Sequence, residues 1–454
     1  MNNKLSVLQR SDADHHLHPF TDNGELARHG TRIITHGKGV YLTDSEGNTL
    51  LDGMAGLWCV NVGYGQQSLI DAAMSQFREL PYYNSFFQCT TPPAIELAEL
   101  LGELSPPHMQ HVFFTGSGSE SNDTVVRMVR HYWASLGCPE KQVIISRHNA
   151  YHGSTMAAAS LGGMEDMHKQ GGLPIPGIVH IDQPYWFGEG RDEEPETFGL
   201  RVARQLEEKI AELGIDKVAA FIGEPIQGAG GVIIPPDSYW PEIQRICDEY
   251  GILLISDEVI TGFGRIGEWF GADYYGTKPD LMPIAKGLSS GYLPIGGVIV
   301  SDRVAEVLKT KGGEFNHGYT YSGHPVCAAV AVANVRLLQN ENIVDYVRDD
   351  IGPYLRSGWQ KFADHALIGE SRSAGLLGAL ELVAGKDPIR SFEDGAAVGT
   401  MARDLAIENG LVMRAVGSKL IISPPLVISR REVDELLEKV EKTLDDLARK
   451  LSTS

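Results

Sequence analysis

Basic residues are scarce in this 454-residue sequence: 39 lysines and arginines stand against 59 aspartates and glutamates, for a formal net charge of −20. Such a chain has no cationic surplus to neutralise phosphates, which disfavours nucleic acid and anionic membranes as partners. Long apolar runs are missing as well, since none approaches the ~20 residues of a membrane span. Met1–Ser6 lacks the apolar core of a signal peptide. We therefore expect neither a membrane protein nor a secreted one.

Cysteine is sparse too, with five widely separated residues and no C-x-x-C pair. A scattered, odd-numbered set fits a reducing compartment, and it predicts a cytoplasmic protein with neither a disulfide scaffold nor a zinc site. His15, His16 and His18 could bind a metal, but no Cys, His or Asp cluster follows at a ligand spacing. Histidines that pack or form hydrogen bonds are favoured, and no bound metal is predicted.

The middle of the chain shows an α/β pattern. The length allows two or three domains, and the 43% hydrophobic content allows a large core. Between about residues 95 and 325, helical patterns alternate with apolar runs typical of buried strands, at 111–115, 142–146, 218–222, 252–256 and 295–300. This alternation predicts a mostly parallel sheet covered on both faces.

Both ends of the chain differ from this middle. Residues 31–52 have a hairpin pattern, with strand-like runs at 32–35, 40–42 and 49–51. Apolar residues recur at helical spacing from 433 to 451, which predicts a terminal helix packed on a smaller α+β domain. The predicted divisions are an N-terminal segment with part of the small domain (1–60), a large domain (61–328) and a C-terminal small domain (329–454).

Four sequence elements follow predicted strands, where the active sites of open α/β sheets form. Thr115–Glu120 is a Gly/Ser turn before a helix; it suits a single phosphate, although many helices begin with such caps. It has neither G-x-G-x-x-G spacing nor a Walker lysine. Tyr151 could stack on a ring or pack in a loop. Glu224 and Asp257 follow the ends of two predicted buried strands. Each could be a functional group or a structural, hydrogen-bonded carboxylate.

Lys286 lies between the apolar stretch Leu281–Ala285 and a Gly/Ser loop. A lysine beside a loop is usually just exposed. A desolvated lysine, however, is easier to deprotonate and can form a Schiff base with an aldehyde. Asp257 could hold a protonated pyridine nitrogen, so the two residues together supply the protein groups that pyridoxal phosphate requires.

Residues 257–265 (Asp-Glu-Val-Ile-Thr-Gly-Phe-Gly-Arg), followed by Ala285-Lys286-Gly287, resemble the class III, pyridoxal-phosphate-dependent aminotransferases of fold type I. The resemblance runs over nearly the whole chain, with further matches at 116–123, 151–153, 223–228 and 319–325. A set of this size in this order is highly specific for the family. It implies a large, mostly parallel α/β domain and a smaller α+β domain built from both chain ends.

The resemblance also implies a role for each matched residue. Lys286 would bond to the cofactor and later move the substrate proton, and Asp257 would pair with the pyridine nitrogen. Val259 and Tyr151 would pack on the two faces of the ring. The other cofactor contacts would come from Ser117, Gly118, Ser119, Glu224 and Thr320. Thr320 would come from the neighbouring subunit of a homodimer, and a tetramer is the alternative assembly.

Two departures from the family pattern bear on the substrate. Ile260 stands where many relatives have a glutamine that touches the ring hydroxyl. Ala229 replaces the glutamate that masks a carboxylate-binding arginine in ornithine-type relatives. Arg414 would be that arginine, or else a surface salt-bridge former; unmasked, it could swing aside for amines without a carboxylate. Trp58 lies in a segment, 52–61, that resembles ω-aminotransferases using pyruvate, and it would wall the substrate pocket or simply belong to the core.

The predicted function is transfer of an amino group to pyruvate from an ω-amine or ω-amino acid, giving L-alanine and an aldehyde or ketone. Candidate donors are putrescine-like diamines, β-alanine-like compounds and aryl-alkyl amines, with Tyr151 also touching the substrate. A decarboxylase or aminomutase of the same family is the alternative. A nucleotide-binding oxidoreductase is the alternative from another class, and the missing G-x-G-x-x-G disfavours it.

Overall fold

The structure, a computed structural model, describes residues 5–452. The prediction that Met1–Ser6 is not part of a signal peptide therefore falls mostly outside the described residues. The described strands are β1 (Ile34–Lys38), β2 (Tyr41–Asp44), β3 (Thr49–Asp52), β4 (His111–Thr115), β5 (Val143–Arg147), β6 (Ile178–Ile181), β7 (Val218–Gly223), β8 (Leu253–Ser256), β9 (Leu281–Ile284), β10 (Gly296–Val300), β11 (Ile368–Ala374), β12 (Leu377–Leu382), β13 (Gly385–Lys386), β14 (Ile389–Arg390), β15 (Leu411–Val412), β16 (Arg414–Val416) and β17 (Lys419–Ile422).

The described α-helices are α1 (Val7–His15), α2 (Asn23–His29), α3 (Ala55–Trp58), α4 (Gln67–Glu79), α5 (Pro92–Leu104), α6 (Gly118–Ser135), α7 (Met156–Leu161), α8 (Glu165–Gly171), α9 (Trp186–Glu189), α10 (Pro195–Leu213), α11 (Tyr239–Tyr250), α12 (Gly271–Tyr275), α13 (Asp302–Thr310), α14 (Pro325–Asn340), α15 (Ile343–Tyr346), α16 (Gly352–Trp359), α17 (Gly395–Glu408) and α18 (Arg430–Ser452). None of these helices is long and apolar enough to cross a membrane.

A seven-stranded sheet in the order β4-β10-β9-β8-β7-β5-β6 forms the centre of the large α/β unit. β10 runs antiparallel to both of its neighbours, and the other strand pairs are parallel, which confirms the mostly parallel sheet. Neighbouring residues along a strand point to opposite faces. Leu253 accordingly packs in the cluster that contains α6, whereas Leu254 packs in the cluster that contains α10 and α11. Burial on both faces explains the continuous apolar runs.

The two ends of the chain meet in a second sheet, ordered β1-β2-β3-β15. β15 pairs in parallel with β3, and Val412 lies opposite Asp52. A separate antiparallel sheet has the strand order β11-β12-β17-β16. α18 is the predicted terminal helix, with Val433, Leu436, Val440, Leu444 and Leu447 buried along one face. A smaller α+β part from both chain ends is thus confirmed, while the borders at residues 60 and 328 stay predictions.

The first strand of the N-terminal hairpin was predicted to start two residues and to end three residues too early. The prediction placed it at 32–35, whereas β1 spans Ile34–Lys38. β1 is largely exposed, and its residues after Ile34 are polar or glycine, so no apolar alternation marks it. Its position is set instead by pairing with β2, with an irregularity between Ile34 and His36.

Candidate active site

The carboxyl ends of the parallel strands meet at a cavity of about 350 Å³. Eight residues selected from the sequence line this cavity together: Ser117, Gly118, Ser119, Tyr151, Glu224, Asp257, Val259 and Lys286. They come from five separate connections, and the sheet topology brings these connections to one edge. The volume suits a small molecule.

The Gly/Ser turn forms the start of α6. Ser117 is the N-cap residue, and its Oγ accepts a hydrogen bond from the Glu120 backbone N–H at 3.2 Å. Ser119 Oγ accepts from the Ser154 N–H at 3.0 Å. Gly153 has φ +137°, and a Cβ there would lie 2.6 Å from Ser119 Oγ, so only glycine fits. Free N–H groups and the positive end of the helix dipole make this turn suitable for an anion.

Asp257 follows β8 and is 3% exposed. Its Oδ2 accepts hydrogen bonds from His152 Nδ1 at 2.6 Å and Asn122 Nδ2 at 2.8 Å, and its Oδ1 accepts from the Val259 N–H at 3.1 Å. Three donors face the carboxylate, which matches its acceptor-only ionised form. His152 Nε2 is buried and has no partner among residues 5–452.

Lys286 begins the turn after β9 and lines the cavity. Burial lowers the pKa of its amine, and the negative charge of Asp257 opposes this effect without cancelling it. Its φ of +45° is unusual for a residue with a side chain, and such strain is typical of functional positions. No hydrogen bond to the Lys286 side chain occurs within the described residues. The arrangement favours a neutral, nucleophilic amine.

Glu224 fixes the loops on the other side of the cavity. It is 4% exposed, and burial raises the pKa of its carboxyl group. Oε1 accepts from the Tyr151 N–H and Oε2 from the Gly228 N–H, both at 3.0 Å. The Tyr151 hydroxyl lies 3.1 Å from Ser154 Oγ, so this aromatic ring is held from both ends.

Arg414 and Trp58 lie beside the cavity. The guanidinium carbon of Arg414 is 4.9 Å from the centre of the Trp58 ring, a cation–π contact. Trp58 is buried in an apolar cluster with Ala229 and Ile260, and Tyr151 packs against this cluster. Burial lowers the pKa of Arg414. No carboxylate pairs with Arg414 in the described part of the chain, so the arginine is not masked.

The family follows from the extent of the sequence match around this geometry. The model of the family described as aminotransferase class-III matches residues 25–444. The chain belongs to the class III aminotransferases. It is therefore an enzyme that transfers amino groups, acting on a small-molecule amine and a keto acid.

The relatives of this aminotransferase include named enzymes and solved structures. It is 59% identical over 447 residues to the putrescine–pyruvate aminotransferase of Pseudomonas aeruginosa, covering 98% of each chain. It is 42% identical over 423 residues to the diaminobutyrate–2-oxoglutarate transaminase of Halomonas elongata, covering 91% of this chain and 90% of that one. The ω-transaminase of Pseudomonas jessenii, solved in complex with PMP, superposes with a TM-score of 0.96 at 42% identity, covering 98% and 99% of the chains.

Thr320 is not brought to the cavity of this aminotransferase within one chain. It is exposed, and its carbonyl oxygen accepts a hydrogen bond from the Tyr82 hydroxyl at 2.7 Å. Its assignment to a partner's site stays a prediction.

Sequence reasoning assigned no role to three residues near the site. Asn122 and His152 lay inside the recognised motifs, but their contact with Asp257 depends on the fold. Phe20 comes from the N-terminal segment, and its ring centre lies 6.3 Å from that of Tyr151. Phe20 and Arg414 also line a second pocket together. Nothing in its polar surroundings marked it in the sequence.

Two of the three N-terminal histidines, His16 and His18, form hydrogen bonds, as predicted. Asp12, which the sequence did not single out, lies 2.9 Å from His18 Nε2 and 3.2 Å from His16 Nδ1. These three residues could also hold a metal ion. The absence of a bound metal stays a prediction.

Proposed function

We propose that this aminotransferase uses pyridoxal phosphate to move the amino group of an ω-amine or ω-amino acid to pyruvate. One observation carries the cofactor assignment: a buried amine, Lys286, and a hydrogen-bonded carboxylate, Asp257, line the same cavity as a Gly/Ser turn. These are the nucleophile, the pyridine partner and the phosphate site that this cofactor requires.

The cavity passes a test of fit for a flat ring with a phosphate arm. A Cβ on Gly118 would approach Val259 to 3.0 Å, and one on Gly296 would lie 2.8 Å from the Ser117 carbonyl oxygen. Gly118 therefore leaves space beside Val259 in the cavity lining, and Gly296 lets β10 pack closely against the Gly/Ser turn. The ring would lie between Val259 and Tyr151, and the phosphate would lie on Ser117, Gly118 and Ser119.

When bound, the cofactor supplies an electron-poor ring that stabilises negative charge on the substrate carbon. Lys286 would hold the aldehyde carbon of the cofactor, and its amine would move the proton at the donor's reacting carbon. Asp257 would hold the pyridine nitrogen of the cofactor in its protonated form. Asn122 and His152 fix the direction of the Asp257 oxygens, and Glu224 fixes the loop that carries Tyr151.

The substrate assignment rests on Arg414. A guanidinium can hold a carboxylate through two parallel hydrogen bonds, which suits pyruvate. Ala229 offers no carboxylate that would hold Arg414, so the arginine is free to move when the donor has no carboxylate. The Pseudomonas aeruginosa relative, matched over 98% of both chains, is named for putrescine and pyruvate. Diamines of that kind, β-alanine-like compounds and aryl-alkyl amines are the proposed donors.

The proposed assembly is a homodimer, with a tetramer as the alternative, and Thr320 would bind the phosphate in the partner's site. Exposed apolar side chains near it support an interface, because monomers rarely expose large apolar groups together. Phe87 is 90% exposed and Tyr321 is 65% exposed. Light scattering tests the assembly. The cytoplasmic location stays a prediction, which cell fractionation tests.

A donor screen with pyruvate tests the function. Putrescine, β-alanine and 1-phenylethylamine should each be assayed for alanine formation and for carbon dioxide. Alanine equal to donor consumed, without carbon dioxide, is the expected result; carbon dioxide release would point to the decarboxylase alternative. Borohydride reduction followed by peptide mass spectrometry should place the pyridoxyl label on Lys286.

A further inference from the structure

The loop that carries Trp58 has an unusual backbone. Ala55, Gly56 and Trp58 have φ values of +46°, +66° and +57°, so three of four successive residues are left-handed. Residues with a Cβ rarely adopt this region, and they stay there only when the surrounding structure holds them. The contacts that hold this loop therefore determine where the Trp58 side chain lies.

A buried carboxylate, Asp52, provides two of those contacts, to the backbone of Met54 and Gly56. It is 0% exposed and ends β3. Its Oδ1 accepts from the Met54 N–H at 3.0 Å, and its Oδ2 accepts from the Gly56 N–H at 2.7 Å and the Tyr64 hydroxyl at 2.6 Å. No lysine, arginine or histidine of residues 5–452 forms an ion pair with Asp52. Among the described residues, the Tyr64 phenol is the one side chain that donates to Asp52, and a buried carboxylate needs such donors to stay buried.

Tyr64 is itself anchored to the N-terminal sheet. Its backbone N–H and carbonyl both pair with Gly39, at 2.8 and 3.0 Å. A Cβ on Gly37 would lie 2.8 Å from the Tyr64 ring. The Tyr64 ring therefore packs against β1 at a position where only glycine leaves enough space. Burial, together with the charge of Asp52, raises the pKa of the Tyr64 hydroxyl well above its usual range. The phenol therefore remains a donor at any working pH.

Trp58 has no polar contact of its own that could fix its ring. Its Nε1 is buried and has no partner among the described residues. The ring packs in the cluster with Ala229 and Ile260, and its face carries Arg414 at 4.9 Å. Ile260 in turn lines the cavity that contains Lys286. The position of the loop thus determines where the Trp58 ring lies beside the cavity and where the Arg414 guanidinium packs.

We infer that Tyr64 and Asp52 are positioning residues for substrate selection: their hydrogen bond locks the left-handed loop, so that Trp58 limits donor size and supports Arg414. The inference rests on the proposed amine and pyruvate specificity for its catalytic consequence. Its structural part, the control of Trp58 by Tyr64, does not depend on the substrate.

The first experiment measures the structural part with full-length enzyme labelled with 5-fluorotryptophan. The Trp58 resonance is assigned by its loss in Trp58→Phe. Tyr64→Phe removes only the hydroxyl and should shift or broaden that ¹⁹F signal. Tyr41→Phe is the matched control, because Tyr41 lies in β2 of the N-terminal sheet and its hydroxyl donates to the Glu435 carboxylate of α18 at 2.7 Å. It should leave the signal in place. An unmoved Trp58 signal in Tyr64→Phe overturns the inference, whether or not the proposed substrates are correct.

The second experiment measures selection. In Tyr64→Phe, the ratio of kcat/KM for putrescine to that for a bulky aryl-alkyl amine should fall about fivefold. Residues in one hydrogen-bond network have coupling energies large enough for a change of this size. The KM for pyruvate should rise more than kcat changes, and the cofactor absorbance should stay the same. Tyr41→Phe should alter none of these values.

A double-mutant cycle separates positioning from general damage. In a Trp58→Ala background, Tyr64→Phe should no longer change the donor ratio, because its effect passes through the ring that has been removed. An equal effect in both backgrounds overturns the inference. If Tyr64→Phe does not fold, Gly56→Ala strains the same loop from the backbone, where φ is +66°, and should lower the same ratio.

Discussion

The two ends of the active site are built in opposite ways. At the cofactor end, Asp257 is 3% exposed and receives three hydrogen bonds. At the substrate end, Arg414 has no carboxylate partner in the described chain and rests on the face of Trp58. A hydrogen-bonded buried carboxylate is expensive to move, whereas a cation–π contact at a partly open site is weak. The chemistry is therefore fixed, while the recognition of two unlike substrates can adjust.

Lys286→Ala should have the largest effect, because it removes the group that moves the proton. Turnover should fall by about 10⁴-fold or more, the upper range for a lost acid–base group. Pyridoxal phosphate should still bind, but the visible absorption of the protein-bound Schiff base should be absent. Alanine formation and the absorption spectrum measure both results. Full activity in this variant would refute the assigned role, and Lys278→Ala, at an exposed lysine, is the control.

Asp257→Asn tests the fixed end next. An amide cannot keep the pyridine nitrogen protonated, and it places an N–H against the donors of His152 and Asn122. Loss of one partner of a buried hydrogen-bonded charge pair suggests a fall in kcat of about 10²- to 10³-fold. Steady-state kinetics at saturating donor measure it. A fall in kcat of less than about threefold, far below that range, would show that the carboxylate is only structural.

Arg414→Ala tests the adjustable end. The kcat/KM for pyruvate should fall by about 10- to 100-fold, the effect of losing charge-assisted hydrogen bonds. The value for putrescine should change much less, because that donor has no carboxylate. Half-reactions followed separately by absorbance give the two numbers. Equal losses for both substrates would contradict an arginine that serves only the acid.

The pH dependence of Lys286 should give the smallest effect. Burial lowers its pKa, whereas the pKa of exposed Lys169 is raised by its hydrogen bond to Glu165. Below its pKa each amine is protonated and unreactive, so acylation of Lys286 in the apoenzyme should persist to a lower pH than acylation of Lys169. Mass spectrometry of both peptides across a pH series gives the two midpoints. A midpoint for Lys286 at or above that of Lys169 would contradict the desolvated amine.

The parts of this enzyme that the sequence predicted share a physical cause. The central strands are buried on both faces, so their apolar runs stand out. Asp257 directly follows β8, and Lys286 comes two residues after the end of β9. β1 was misplaced because it is exposed and its residues after Ile34 are polar or glycine. The pairing of His152 with Asp257 could not be predicted, because residues 105 positions apart meet only through the order of the strands.

The pairing of β3 with β15 has a consequence for how the enzyme is made. Asp52 lies opposite Val412, so the strand that starts the Trp58 loop has one of its two neighbours near the other end of the chain. On the ribosome, the early strand must wait for most of the protein to be translated before its edge is covered. Substrate selectivity should therefore be the last property that a newly synthesised molecule acquires, after the central sheet has already folded.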